Sequence, residues 1–186
     1  MKGAFIDRDG VIVEERGYVY RTEDFAPLPG AIAALGDLQA AGYKLIVITN
    51  QSGIARGLYT EAQYQAFTAH MRSQLRAQGV RLDAVEHCPH LPDAAVPQYR
   101  LACDCRKPQP AMLTRAASRL AVDMASSVLI GDRRTDIEAG RAAGVGRCFL
   151  VRSGVALRAE DEALADGVYA GLAECVRKLL GGGTRS

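Results

Sequence analysis

Apolar residues in this chain fall into two patterns. Ala4-Phe5-Ile6, Leu45-Ile46-Val47-Ile48, Val128-Leu129-Ile130 and Cys148-Phe149-Leu150-Val151 are short unbroken runs. Such runs are too short for buried helices and suit strands covered on both faces. Leu82 to Glu86 is a further, weaker strand candidate. Elsewhere apolar positions recur every three or four residues. Ile32, Leu35 and Leu38 share one face of a segment that starts near Gly30 and stops at Gly42, where a glycine ends a helix readily. Tyr64, Phe67, Met71 and Leu75 share another face, behind Thr60-Glu61-Ala62-Gln63, which has the spacing of a capping box. His70 falls among the polar positions of that helix and is expected at the surface. Met112, Ala116 and Leu120 follow Pro110, a residue suited to a first helical turn. Asp136 is placed to cap a helix running through Gly140 to Gly144. Beyond Val151 the pattern weakens, apart from a terminal helix carrying Leu172, Val176 and Leu179.

Strands alternating with helices predict an α/β fold, three layers deep and doubly wound (Rossmann-like), around a mostly parallel sheet. The 186 residues suffice for one well-buried domain. It is assigned to residues 1–180, with no large cap domain, and residues 181–186 form a flexible tail. Composition narrows the partners. Hydrophobic content of 48% and charged content of 24% are ordinary for a globular chain. A formal net charge of +2 is too small to point to nucleic acid or an anionic membrane, so a small anionic ligand suits the basic residues better. No apolar run approaches the roughly 20 residues of a membrane span, and a strand pattern occupies the start, so a cytoplasmic monomer is expected.

The chemistry-bearing residues sit where the apolar runs stop. Asp7-Arg8-Asp9-Gly10 follows the first run, Thr49-Asn50-Gln51-Ser52-Gly53 the second, and Gly131-Asp132 the third. Each cluster alone has the composition of an ordinary turn. Together they line the carboxyl ends of strands, the edge where open α/β sheets bind ligands. Two aspartates this close repel unless a cation joins them, which makes Mg²⁺ the natural third member. Val13 to Pro29 forms a polar and aromatic connection of 17 residues, long enough to be functional.

Five cysteines are present, and three crowd beside a histidine. Cys88-Pro89-His90 is followed after twelve residues by Cys103-Asp104-Cys105. Three thiols and one imidazole make a closed tetrahedral Zn²⁺ set, so residues 88–105 are read as a small zinc-binding loop insertion with Cys88, His90, Cys103 and Cys105 as ligands. His87 is the rival imidazole, but adjacent residues in an extended strand point apart. Cys148 and Cys175 read as core thiols. Arg106-Lys107-Pro108 follows the last ligand directly, so zinc would fix a base from which Lys107 and Arg106 reach the aspartates.

In order along the chain, Asp7-x-Asp9, Thr49, Lys107, and Gly131-Asp132 with Asp136 resemble the four motifs of the haloacid dehalogenase superfamily, over Phe5 to Val151. Within it the chain is similar to the zinc-containing D,D-heptose 1,7-bisphosphate phosphatases, through Gly17-Tyr18, Thr49 to Gly57, Cys88-Pro89-His90 and Cys103 to Pro108. That resemblance implies removal of the C7 phosphate of a D-glycero-D-manno-heptose 1,7-bisphosphate, a precursor step toward lipopolysaccharide. Asp7 would be the nucleophile, Asp9 the general acid and base, and Thr49 and Lys107 the stabilisers of phosphoryl charge. Mg²⁺ would lie between Asp7, Asp9 and Asp132, with Asp136 orienting them. Substrate contacts are assigned to Glu15, Arg16, Gly17, Tyr18, Asn50, Gln51, Ser52, Arg56, Arg106 and Arg133. Arg133 departs from the Lys usual in that family. Related histidinol-phosphate phosphatases, which share the zinc loop, tend to carry Arg there, so that substrate is the alternative. A receiver-like phospho-accepting domain also uses a strand-end Asp with Mg²⁺, but has no use for Asp9 or the zinc loop.

Overall fold

The computed structural model describes residues 1–181. Its strands are β1 (Lys2–Ile6), β2 (Lys44–Asn50), β3 (Ala84–Cys88), β4 (Asp123–Gly131), β5 (Arg147–Val151) and β6 (Gly167–Tyr169). The helices are α1 (Ala31–Ala40), α2 (Ser52–Ala55), α3 (Glu61–Ala77), α4 (Ala111–Leu120), α5 (Arg134–Ala142), α6 (Ala159–Glu162) and α7 (Leu172–Gly181). All strand pairs are parallel, in the order β3-β2-β1-β4-β5-β6. The strand order reverses at β1, which is therefore central and flanked by β2 and β4.

Alternation along each strand divides the core. Ala4, Ile6, Leu45, Val47, Val128 and Ile130 face α1, α3 and α7, where Leu35, Phe67, Met71 and Val176 meet them. Phe5, Ile46, Ile48 and Leu129 face the other way, onto Met112 and Ala116 of α4 and Ile137 of α5. This two-sided burial is why the strands read as unbroken apolar runs. The three layers and the parallel sheet are those the pattern predicts. The capping box at Thr60 is formed: its hydroxyl accepts from the Gln63 backbone N–H, and the Gln63 side chain accepts from the Thr60 N–H.

Four local expectations change. β4 begins at Asp123, five residues before its apolar run, because its exposed first half pairs at the sheet's rim. Strand β6 and helix α6 were not read at all: β6 has three residues, each half-buried, and leaves no periodic signal. Asp136 does not cap α5 from outside; it lies in the first turn, and its carboxylate accepts the Arg133 backbone N–H at 3.0 Å. His70 is half-buried rather than solvated, with its ring edge-on to Phe25 at 5.8 Å. Of the expected tail, Gly181 closes α7 and residues 182–186 lie outside the described residues.

Candidate active site and thiol cluster

The functional side chains converge at the carboxyl edge of β1, β2 and β4. Asp7 follows β1 directly, and its backbone N–H bonds to the Ile130 carbonyl of β4 at 3.0 Å, extending the sheet by one rung. Asp132 follows β4, and Asp136 lies one turn into α5. Carboxylate oxygens of Asp7, Asp132 and Asp136 lie within 4.8 Å of one another, all buried. Into this cluster reaches the Lys107 ammonium, 2.6 Å from Asp136 Oδ1 and 3.1 Å from Asp7 Oδ1, while it also donates to the Ile48 carbonyl at 3.0 Å. The Arg8 backbone N–H donates to the same Asp7 oxygen at 2.7 Å. Asp7 Oδ2 has no hydrogen bond among the described residues.

Three buried acids against one cation leave a negative excess. Burial pushes the Asp7 carboxyl well above the usual range; Lys107 pulls it down, and Asp136, Asp132 and Asp9 push it up again. Burial and the Asp136 charge raise Asp132 to about 6, against Arg133 and Lys107. Burial alone would discharge Lys107, but Asp136 and Asp7 more than reverse this and hold it protonated. Asp132 Oδ1 is buried without a hydrogen-bond partner among the described residues, and Asp136 Oδ1 has only the Lys107 ammonium against it. A hard divalent cation with oxygen ligands fits this donor set, since it supplies both the missing charge and the missing partners.

Asp9 is held apart from these three. Arg8 grips its carboxylate through two bonds, Nε to Oδ1 at 2.9 Å and Nη2 to Oδ2 at 2.8 Å. Arg8 itself is buried, bonded to the Val19 carbonyl and lying 4.7 Å over the Phe67 ring. Burial works against its charge, and Asp9 more than offsets the loss. The sequence assigned Arg8 no part; a strongly basic residue set between two acids beside an apolar run was the available signal. Gln51 is the other support. Its amide Nε2 donates to Asp9 Oδ2 at 3.0 Å and Thr49 Oγ1 at 2.7 Å, while Oε1 accepts from Tyr59 at 2.5 Å and Arg8 at 3.3 Å. Every polar atom of Gln51 is thus taken by the protein, and the residue is 2% exposed. Its side chain braces Thr49 and Asp9 from within the protein. Asn50 behaves similarly, accepting from the Lys107 N–H and donating to the Lys107 carbonyl, both at 3.1 Å. Tyr59, stacked on Tyr20 with ring centres 4.7 Å apart, was missed because it lies outside every strand-end cluster.

Above the acids opens a cavity of about 840 Å³. Asp9 and Lys107 are among the residues that line it, whereas Asp7, Thr49, Asp132 and Asp136 are not. Glu15, Gly17, Tyr18, Asn50, Gln51, Ser52, Arg56, Arg106 and Arg133 line it. Arg16 does not: it turns to Glu14 at the surface, and its assignment to substrate is corrected. Arg133 spans Glu15 at 3.6 Å and Asp132 at 3.8 Å. Two further arginines, Arg134 and Arg158, and the segment Val155 to Leu157 complete the walls. Arg134 stands beside Arg133 at the start of α5, whereas Val155 to Arg158 fall in the weakly patterned region after Val151 and carry no motif.

Cys88, His90, Cys103 and Cys105 come together within 4.8 Å. Their sulfurs are 3.1 to 3.4 Å apart, too far for a disulfide, and Cys105 Sγ is 3.4 Å from His90 Nδ1. Three thiols and an imidazole nitrogen at these separations fit one Zn²⁺. Burial opposes ionisation of Cys103, but bonds from Cys105 and Cys88 bring it down to about 7, while burial pushes Cys88 upward. The rival His87 is taken by Glu61 at 2.7 Å and lies against Tyr64. Cys148 and Cys175 are buried core thiols. Arg106, just past the cluster, donates to the His90 carbonyl at 3.4 Å, so the loop braces the segment that delivers Lys107.

A parallel sheet ending in Asp7, Thr49 and Asp132, with Lys107 between the acids, defines a haloacid dehalogenase-like phosphatase. A family profile described as "HAD-hyrolase-like" matches residues 104–175. The chain is 47% identical over 154 residues to D-glycero-alpha-D-manno-heptose-1,7-bisphosphate 7-phosphatase of Photorhabdus laumondii, covering 83% of this chain and 84% of that protein. It is 45% identical over 170 residues to the beta-anomer enzyme of Escherichia coli K12, covering 91% and 89%. The crystal structure of D,D-heptose 1,7-bisphosphate phosphatase from B. bronchiseptica, complexed with magnesium and phosphate, superposes with a TM-score of 0.82 at 32% identity, covering 98% of this chain and 99% of that one. The chain belongs to the D-glycero-D-manno-heptose-1,7-bisphosphate 7-phosphatase family. Among the described residues no helix is long and apolar enough to cross a membrane.

Proposed function

We propose that this protein hydrolyses the C7 phosphate of D-glycero-D-manno-heptose 1,7-bisphosphate through a phosphoryl-aspartate on Asp7. The observation that carries the proposal is the union of a buried acid cluster with a cavity walled by Arg56, Arg106, Arg133, Arg134 and Arg158. The acids and Lys107 suit the transferring phosphoryl group, and the arginine walls suit a second phosphate on the same molecule. Asp7, the Asp9 carbonyl and Asp132 would hold Mg²⁺, with Asp136 beside them. When bound, the ion supplies positive charge to the transferring phosphoryl group.

The chain's own residues do the remainder. With Asp7 Oδ1 tied by Arg8 N–H and Lys107, Oδ2 is the oxygen that attacks phosphorus. As the bond from phosphorus to the sugar oxygen breaks, Asp9 gives that oxygen its proton. Water then attacks the phosphoryl-aspartate, Asp9 takes the water's proton, and inorganic phosphate leaves with Asp7 restored. Lys107 and Thr49 offset charge on the phosphoryl oxygens. Gln51 and Arg8 keep Asp9 in one rotamer, so little reorganisation remains for the reaction itself.

The test is phosphate release from both anomers of the heptose bisphosphate and from histidinol phosphate, with Mg²⁺ and with EDTA, using Asp7→Asn as the inactive control. Fast Mg²⁺-dependent release from the heptose alone, leaving a 1-phosphate, is expected. Equal or faster release from histidinol phosphate would overturn the substrate, and an active Asp7→Asn enzyme would overturn the nucleophile.

A further inference from the structure

The turn that follows β5 carries no motif, yet it touches both halves of the acid cluster. The Ser153 hydroxyl donates to the Gly10 carbonyl at 2.7 Å. Two residues on, the Val155 backbone N–H donates to Asp132 Oδ2 at 3.2 Å. Between them, Gly154 lies so close to Asp132 that a Cβ there would stand 2.0 Å from Oδ2 and 2.6 Å from Cγ. Gly10, at φ +79°, completes the contact: a Cβ on it would meet Gly154 Cα and Asp132 Oδ2, each at 2.7 Å. The ends of β1, β4 and β5 are thereby joined at one carboxylate, although β1 lies more than a hundred residues before the other two.

We propose that Ser153-Gly154-Val155 is a positioning device for the divalent cation, fixing the Asp132 carboxylate against the turn that carries Asp7 and Asp9. The inference rests on the reading of Asp132 as a cation ligand. Its physical content is specific. A carboxylate that binds a hard cation must present one oxygen in a set direction, and a group bonded to its other oxygen supplies that direction. Val155 N–H occupies Oδ2, while Oδ1 is left buried without a hydrogen-bond partner among the described residues. A neutral backbone donor orients the carboxylate without cancelling the charge that attracts the ion. The glycine is required because any side chain would rotate Asp132 away or push the turn off Gly10. Ser153 sets the distance between the turn and the first strand end. Since Val155, Ala156 and Leu157 also wall the cavity, one segment shapes the substrate space and aims a cation ligand.

Gly154→Ala, Ser153→Ala, Ser153→Thr and Asp132→Asn are compared with the parent protein, zinc-loaded and freed of Mg²⁺. Mg²⁺ affinity is read by titration calorimetry, alongside the Mg²⁺ dependence of turnover and the melting temperature. Gly154→Ala is expected to weaken Mg²⁺ binding about tenfold or more, and Ser153→Ala by roughly threefold to tenfold, in the range found for groups that orient metal ligands. Ser153→Thr keeps the hydroxyl and should bind Mg²⁺ as the parent does. Turnover of Ser153→Ala should return to near the parent value at saturating Mg²⁺. Parent-like Mg²⁺ affinity in Ser153→Ala and Gly154→Ala, with only the melting temperature lowered, would overturn the inference. Should Gly154→Ala not fold, the two Ser153 variants decide it. Parent-like affinity in Asp132→Asn would instead overturn the underlying ligand reading, so the two failures are distinct.

Discussion

Two clusters of similar size are linked through Lys107, which follows Cys105 by two residues and reaches Asp7 and Asp136, and their chemistry is opposite. In the acid cluster, Asp7, Asp132 and Asp136 are ionisable groups that burial disfavours, brought together from distant parts of the sequence and balanced by one lysine. In the thiol cluster, Cys88, His90, Cys103 and Cys105 come from 18 consecutive residues, and burial holds Cys88 and Cys105 toward the uncharged thiol. The first is therefore under electrostatic stress until a cation or a proton arrives. The second lacks only cross-linking. One site is built to be sensitive to charge, as phosphoryl transfer needs, and the other to be indifferent to it, as a structural clamp needs.

The difference is broken most severely at Lys107. Lys107→Met leaves Asp7 and Asp136 without the cation that touches both. Turnover should fall by at least about 10²–10³, and stability to urea by roughly 3–5 kcal/mol, with Mg²⁺ recovering part of the stability. A variant as stable as the parent in the absence of Mg²⁺ would show that the acids are not strained. Cys105→Ser probes the other cluster. Zinc content should drop, with a loss of about 2–3 kcal/mol, or roughly 4–12 °C in Tm. Because Lys107 lies two residues further on, kcat should fall more than KM rises. Full zinc occupancy with an unchanged melting curve would contradict the clamp.

The smallest effect concerns pH. Asp132 titrates near 6 when folded, against 3.8 as the ordinary value, so between those values the folded state binds more protons than the unfolded one. Asp132 alone should accordingly lower the stability of the Mg²⁺-free protein by at most about 3 kcal/mol as pH rises from about 4 to 6, and the raised Asp7 carboxyl adds to the fall. Saturating Mg²⁺ takes the place of the proton and should flatten that slope.

Much of this arrangement was legible in the sequence. Asp7, Thr49 and Asp132 announced themselves because a buried strand's apolar run ended in a polar group, and Lys107 because it abutted the last proposed zinc ligand. Cys88 and His90 against Cys103 and Cys105 were legible from composition and spacing alone. What escaped acts through long-range hydrogen bonds. Gln51 and Asn50 carry side chains typical of substrate contacts, and only coordinates reveal that their amides are spent on Asp9, Thr49 and Lys107. Val155 works through its backbone N–H, which no residue type encodes. β6 escaped because three half-buried residues at the sheet's edge need no pattern to pair with β5.

The central place of β1 also sets a timetable. Ala4 pairs with Leu45 on one side and with Val128 on the other, and closing so wide a chain loop is slow compared with local contacts. On the ribosome, where domains emerge at about 5–20 residues per second, the 88–105 loop is available several seconds before Asp132. The clamp can therefore fold around its ion early, while the first strand waits with one edge unpaired. Catalytic competence arrives later, with β4, Asp136 and the turn after β5, so an unfinished chain carries a metal site but no phosphatase.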